Sequence, residues 1–354
     1  MAINKLKSFL KSENEAILIS SPENRRYFTG FPSSDGFLIV TRDDAVFFTD
    51  SRYTEAAQKS ITACSTRLLT RLSVEPYEFL KERNIKILYI EWENMTFALA
   101  DSIKSAFKDI KAEASKELST LIQDLRSVKT PDEVKKIKKA QKIAEDAFSH
   151  ILDFIKPGVT EKQIALELDF YMLSHGAEAL SFETIAVTGK KTSMPHGVPD
   201  DTVVQDGDFI TMDFGAVFDG YHSDMTRTVA VGNVTDEQRE IYNIVLNAQE
   251  TALSLLKSGL SCKDADKAAR DIIAKEGYGE YFGHGTGHGV GIEIHEAPNL
   301  SPRSEAILEE GNIVTVEPGI YIPDKFGVRI EDMALIAKEG YENLTRTPKE
   351  LIIL

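Results

Sequence analysis

The sequence predicts an α+β protein, in which a smaller α/β domain precedes a C-terminal domain with helices outside a curved antiparallel sheet. Three observations carry that reading. In the first third, short β-rich runs alternate with helical stretches. From Thr130 onward, Thr followed three residues later by Glu or Gln recurs as a helix-start signature. Further on, Asp219-Gly220 separates two apolar runs, which is a hairpin signal.

In the first third, Ala16–Ser20, Phe37–Val40, Val46–Thr49 and Ile85–Glu91 read as strands, and Ile3–Lys11 and Val74–Arg83 as helices. The character changes near Leu125–Pro131, so the domains are set at 1–125 and 126–354. Thr130 with Pro131 and Glu133 opens a helix whose apolar face runs through Val134, Ile137, Ala144, Phe148, Ile151 and Ile155 to Pro157-Gly158. Thr160 with Gln163 opens a second helix, ending near Gly176. Thr235 with Gln238 opens a third, and a fourth begins near Ser261. Asp208–Phe218 and Tyr221–Ala230 read as the arms of the hairpin, with further strands at Ile313–Glu317 and Gly327–Leu335.

Composition narrows the function. The 354 residues suffice for two domains, and 42% hydrophobic with 27% charged residues is globular. A net charge of -15 argues against nucleic acid as partner, since phosphate binding needs clustered Lys and Arg. No run approaches the roughly 20 apolar residues of a membrane helix. The opening residues, Met1 to Lys7, lack the apolar core of a signal peptide. Two distant cysteines, Cys64 and Cys262, make a disulfide framework improbable, and a cytoplasmic setting is expected.

The chemistry concentrates after residue 200. Asp213 and Asp224 sit on opposite arms of the hairpin. The turn registers put them directly opposite or one diagonal step apart, roughly 4.5–8 Å between Cβ atoms and on one face. Asp213 follows Phe209, Ile210 and Met212, so a buried carboxylate needing a positive partner is expected there. Next, the glycine-rich run Gly283–Gly289 carries His284 and His288, with His295 shortly after. Three of the seven histidines thus fall in one segment whose glycines are expected to let the backbone approach a ligand. Glu317 ends an apolar strand, and Glu331 lies between Ile330 and Met333. For either glutamate alone, a buried salt bridge with Arg329 is the plainer alternative. Taken together, four carboxylates and one imidazole suit Mn²⁺, Co²⁺, Fe²⁺ or Zn²⁺. Five ligands fit two ions sharing carboxylates, spaced about 3.5–4 Å.

With these residues in place, the chain resembles the creatinase/aminopeptidase P/prolidase/methionine aminopeptidase superfamily (peptidase family M24), in its Xaa-Pro peptidase branch. The five ligand positions occur in the family's order, and Tyr27–Phe31 and Thr49–Tyr53 resemble the branch's N-terminal domain. The resemblance implies a C-terminal pita-bread fold and two divalent metal ions, Mn²⁺ first. It implies that Asp213 chelates one ion, that Asp224 and Glu331 bridge both, and that His288 and Glu317 complete the second. Glu317 also helps to activate the attacking water. By the same resemblance, His196 and His295 contact substrate or the tetrahedral intermediate, His284 lines the proline pocket, Arg329 pairs with nearby carboxylates, and Tyr321 lies near the metals. The implied activity is hydrolysis of the bond before proline in a peptide substrate. The implied assembly is a homodimer, with the N-terminal domain restricting access.

Rival readings are a pita-bread module that binds peptide without cleaving it, or a family hydrolase for another small substrate. Retention of all five ligand positions argues against both. Aminopeptidase P and prolidase activities stay unresolved. Arg303 lies where some family members hold the substrate carboxylate, and a surface arginine in a Pro-containing loop is an equal reading of it.

Overall fold

The β-branched and aromatic runs of the first third pair into one six-stranded sheet, as seen in a computed structural model that describes residues 2–354. Two compact units divide the chain, Met1–Arg126 and Ser127–Leu354. In the first, the strand order is Ser65–Leu68, Ala45–Thr49, Phe37–Thr41, Glu15–Ile19, Ile87–Glu91 and Lys111–Ser115. Glu15–Ile19 pairs antiparallel with Phe37–Thr41 and parallel with Ile87–Glu91, the mixed pattern expected when helices cross between strands. Both faces of the sheet are covered. Leu6, Ile17, Phe47 and Leu118 pack in one cluster, and Leu18, Phe48, Phe79 and Leu88 in another. Glu91, at a central strand's end, is buried. Its two oxygens accept from Ser20 and Ser21 backbone amides and hydroxyls and from Asn24 Nδ2.

In the second unit, three Thr residues start helices as the sequence predicts. Thr130, Thr160 and Thr235 each accept from the backbone three residues on, and Glu133, Gln163 and Gln238 reach back, completing capping boxes at Pro131–Phe154, Glu161–Ser174 and Asp236–Leu255. A fourth helix, Cys262–Lys275, follows Ser261, which caps nothing with its side chain. The helices lie in two hydrophobic clusters. Phe148, Ile164 and Leu168 pack with Met212 and Phe214 in one, and Tyr242, Val245 and Ala269 with Val314 and Val328 in the other.

The hairpin differs from the expectation in one respect. Its turn is as predicted: Asp219 and Gly220 have φ of 48° and 81°, between the pairs Phe218↔Tyr221 and Val217↔His222. The arms, however, are each broken, into Phe209–Phe214 and Ala216–Phe218, and into Tyr221–His222 and Met225–Ala230. The outer pieces join one three-stranded sheet and the inner pieces another. Ser223 makes the break. Its carbonyl accepts from Ser181 Oγ at 2.8 Å, while its hydroxyl, in place of that carbonyl, accepts from Ala216 N at 3.0 Å. A Cβ at Gly215 would lie 1.9 Å from the Ser223 carbonyl oxygen, so only glycine fits opposite.

The remaining strands form a five-stranded antiparallel sheet ordered Glu296–Leu300, Gly287–Gly289, Ile313–Val316, Asp332–Ala337 and Gly340–Asn343. A separate two-stranded pair joins Gly319–Ile322 to Phe326–Arg329. Among the described residues, no helix is long and apolar enough to cross a membrane.

Candidate metal centre

Two ladders deliver the acidic residues. In the first, Asp213 stands opposite Thr226. Asp224, two residues from Thr226, therefore faces the same way, one diagonal step from Asp213. In the second, pairing ends at Val316↔Asp332, so Glu317 and Glu331 are the next residues on their strands. A hydrogen bond from Glu331 N to Thr226 O, 3.1 Å, ties that end to the first ladder. His288 comes from the Gly287–Gly289 strand, whose backbone N–H donates to Thr315 Oγ1 at 3.0 Å.

Each side chain is aimed by a second residue. Thr226 Oγ1 donates to Glu331 Oε2 at 2.7 Å, and Thr315 Oγ1 to Glu317 Oε1 at 3.2 Å. Arg329 donates to Asp213 Oδ2 at 2.6 Å, Thr226 Oγ1 at 3.0 Å, Tyr321 Oη at 2.9 Å and Pro195 O at 3.2 Å. Asp213 Oδ1 is buried and has no hydrogen-bond partner among the described residues. His288 Nδ1 lies 3.0 Å from the Gly289 carbonyl, an acceptor only, so Nδ1 carries the proton and Nε2 presents a lone pair. That lone pair faces Glu317 Oε1 at 3.4 Å and Asp224 Oδ2 at 3.5 Å. Three acceptors without a donor between them require a cation or added protons.

The titration of these groups states the same conflict. Burial, then the Glu331 charge, raises the Asp224 carboxyl well above its ordinary range. Burial, then Glu317, does the same to Glu331. Burial pushes Glu317 up to about 8 and His288 down to about 4. A carboxylate-rich, imidazole-containing set of this kind fits a hard or borderline divalent ion. Among the described residues, ligand atoms of Asp224, His288 and Glu331 lie within 4.8 Å of one another, with Glu317 and Asp213 adjoining.

The cluster floors a cavity of about 720 Å³, the size of ordinary small-ligand sites. His196, His284 and His295 line it as well. His196 and His295 are exposed, and the His295 ring meets His288 edge-on at 4.3 Å between centroids. His284 differs. Its Nδ1 faces the Gly285 carbonyl at 2.8 Å and its Nε2 the Tyr321 hydroxyl at 2.9 Å. Because Arg329 already donates to that hydroxyl, Tyr321 gives its proton to His284, which is fixed as the neutral Nδ1–H tautomer and pushed by burial down to about 4. Arg303 is exposed and is not part of the cavity lining.

Residues 135–338 match Metallopeptidase family M24, and residues 3–128 match the Creatinase/Prolidase N-terminal domain. The chain belongs to family M24. It is 38% identical, over 99% of both chains, to the Xaa-Pro dipeptidase of Pyrococcus furiosus. The Xaa-Pro dipeptidase structure from Bacillus anthracis superposes with a TM-score of 0.95 at 44% identity, covering 100% of this chain and 99% of that one. The X-Pro aminopeptidase structure from Thermotoga maritima superposes with a TM-score of 0.90 at 37% identity, covering 96% and 97%. The fold of this M24 metallopeptidase is thus that of prolidases, an N-terminal domain followed by a pita-bread domain.

The salt bridge of Arg329 to Asp213 supplies the positive partner expected at that carboxylate, and the alternative pairing of Arg329 with Glu317 or Glu331 does not form. One feature of the M24 site departs from the reading of the sequence. The glycines of the His284–His288 run serve strand packing more than ligand approach: a Cβ at Gly287 would lie 2.0 Å from Thr315 O, and one at Gly289 2.4 Å from Ala297 O. Thr226 and Thr315 belong to none of the sequence motifs named above. Each stands two residues from an acidic partner of the site, Asp224 and Glu317, and that period of two was their signal.

Proposed function

We propose that this M24 metallopeptidase hydrolyses the peptide bond before proline, acting on Xaa-Pro dipeptides or on longer peptides with proline second. The observation that carries the proposal is the His288 Nε2 lone pair facing Asp224 and Glu317, with Glu331 beside them. It fits a resident cation, in a family whose relatives are named for Xaa-Pro cleavage. Asp213, Asp224, His288, Glu317 and Glu331 would hold two divalent ions, Mn²⁺ first, with Co²⁺, Zn²⁺ or Fe²⁺ as alternatives. When bound, the ions supply Lewis acidity, lowering the pKa of water and polarising the carbonyl.

The chain's own residues do the rest. Glu317, held by Thr315, takes a proton from the attacking water and returns it to the proline nitrogen, a secondary amine that must be protonated to leave. His196 and His295 stand on the cavity wall, where hydrogen bonds to the substrate and to the developing oxyanion originate. His284 cannot donate from Nε2, so its part is to hold Tyr321, which holds Arg329 against Asp213. Both cysteines are free, consistent with the proposed cytoplasmic setting. A homodimer is the proposed assembly by family resemblance.

The test removes metal, restores Mn²⁺ or Co²⁺, and assays an Xaa-Pro dipeptide beside the corresponding tripeptide. Metal-dependent cleavage of the tripeptide defines an aminopeptidase. Cleavage of the dipeptide alone defines a prolidase and makes a closing movement of Arg303 toward the substrate carboxylate the next question. No cleavage of either with any divalent metal rejects the proposal.

A further inference from the structure

One wall of the cavity carries an acid that the metal cluster does not use. The run Phe182–Ile185 lines the cavity, and within it the Thr184 hydroxyl donates to Asp169 on the Glu161–Ser174 helix. Glu183 stands on this wall two residues before Ile185, where the strand Ile185–Thr188 begins. Ile185 pairs directly with Asp213, and residues opposite each other in an antiparallel ladder share a face. Glu183 therefore continues the Asp213 wall by a step of at most about 7 Å, the reach of two residues. Exposure rises along that line, from half-buried Ile185 to exposed Glu183.

The acids lining the cavity are Glu183, Asp213, Asp224, Glu317 and Glu331. The last four crowd around His288 and Arg329. Glu183 makes no hydrogen bond or ion pair among the described residues. Among the described residues, the only Arg or Lys in the lining is Arg329, each of whose three nitrogens already donates, to Asp213, Thr226, Tyr321 or Pro195. No cation of the cavity wall is left to answer Glu183, so a cation arriving with the substrate meets an unpaired carboxylate.

We propose that Glu183 is a specificity residue that favours peptides with Lys or Arg ahead of proline. The proposal rests on the Xaa-Pro reading above. With the scissile carbonyl at the acceptor cluster, an extended Lys side chain reaches about 6 Å from its Cα, which matches the step from Asp213 to Glu183. The opposite charge, a Glu or Asp ahead of proline, is repelled by the same carboxylate.

The test compares the Mn²⁺-supplemented wild type with Glu183→Gln on Lys-Pro, Leu-Pro and Glu-Pro and on Lys-Pro-Ala and Leu-Pro-Ala. The kcat/KM ratio of Lys over Leu substrates is expected to fall about two- to fivefold in the variant, the range of an exposed ion pair. The change should lie in KM, shrink in about 0.5 M salt, and be accompanied by relief of discrimination against Glu-Pro. Calorimetric titration of the uncleavable Lys-ψ[CH2N]-Pro and its Leu counterpart should show the same ratio change in Kd. If Leu peptides turn over and the ratio is unchanged, this assignment is wrong and the peptidase reading stands. If no Xaa-Pro peptide is cleaved by the wild type, both fall.

Discussion

Arg329 Nη2 lies 2.6 Å from Asp213 Oδ2, which leaves Asp213 Oδ1 as the oxygen free to face a cation. The same guanidinium reaches Thr226 and Tyr321, so it fixes several supports of the cluster at once. Lysine keeps the charge but has no planar fork to serve three directions. Arg329→Lys is expected to weaken divalent-ion affinity roughly 10- to 100-fold, the usual cost of losing such a support. Calorimetric titration of Mn²⁺ into metal-free protein checks this, and a change below threefold would refute it.

The metal-free protein should lose stability as pH rises from 6.5 to 8. Glu317 is raised from an ordinary 4.5 to about 8, with Asp224 and Glu331 raised too. For a carboxyl whose folded pKa is raised, the stabilising contribution is complete below the unfolded pKa and is lost as pH climbs through the folded one. Below 6.5 the two buried histidines oppose this. His284 and His288, both lowered to about 4, cost stability as pH falls. Above 6.5 both are neutral in either state, and the carboxylates act alone. Added Mn²⁺ binds the deprotonated ligands, so its stabilising increment should grow over the same window. Thermal melts at pH 6.5 and 8, with chelator or with Mn²⁺, decide the matter, and an increment independent of pH would sink it.

Local signals in the sequence were readable where the physics is local. The capping boxes at Thr130, Thr160 and Thr235 and the Asp219-Gly220 turn depend on residues within a few positions, and all four occur. Parity along the hairpin places Asp213 and Asp224 on one face from the sequence alone. The edge strands Ser65–Leu68 and Lys111–Ser115 carry little sequence signal, because the first is mostly polar and exposed and the second alternates only two small alanines with polar residues. The Thr226–Glu331 and Arg329–Asp213 bonds join residues over a hundred positions apart, and no local pattern encodes which arginine meets which acid.

The glycines around His284 and His288 should not be equivalent. A Cβ at Gly283 would meet nothing within 4 Å, whereas at Gly287 it would sit 2.0 Å from the Thr315 carbonyl oxygen. Thr315 is also the residue that orients Glu317 and receives the His288 amide. Gly287→Ala must push the two strands apart, at a cost of about 1–3 kcal/mol typical of overpacking, and should lower peptidase activity at least tenfold. Gly283→Ala should stay within about 0.5 kcal/mol of the parent. Urea unfolding of the two variants side by side provides the comparison, and equal midpoints would contradict the packing argument.

Behind Glu331 lies a buried ion pair whose loss should be felt at the site. Arg227 Nη2 donates to Asp332 Oδ1 at 2.7 Å, with side chains 1% and 0% exposed. Arg227 also donates to the carbonyls of Thr226, Glu331, Thr347 and Pro348, so its guanidinium clamps the backbone on either side of the cluster. Asp332 Oδ2 accepts from Lys349, Gln249 and Asn343. Removing the carboxylate leaves Arg227 charged, buried and short of its counter-ion, which costs about 3–5 kcal/mol. Asp332→Ala should show that loss in urea unfolding. The fraction that remains folded should bind Mn²⁺ more weakly than the parent, since the Glu331 carbonyl is held by the same guanidinium. A variant within 1 kcal/mol of the parent would mean the pair is dispensable, and the position of Glu331 would then have to rest on Thr226 alone.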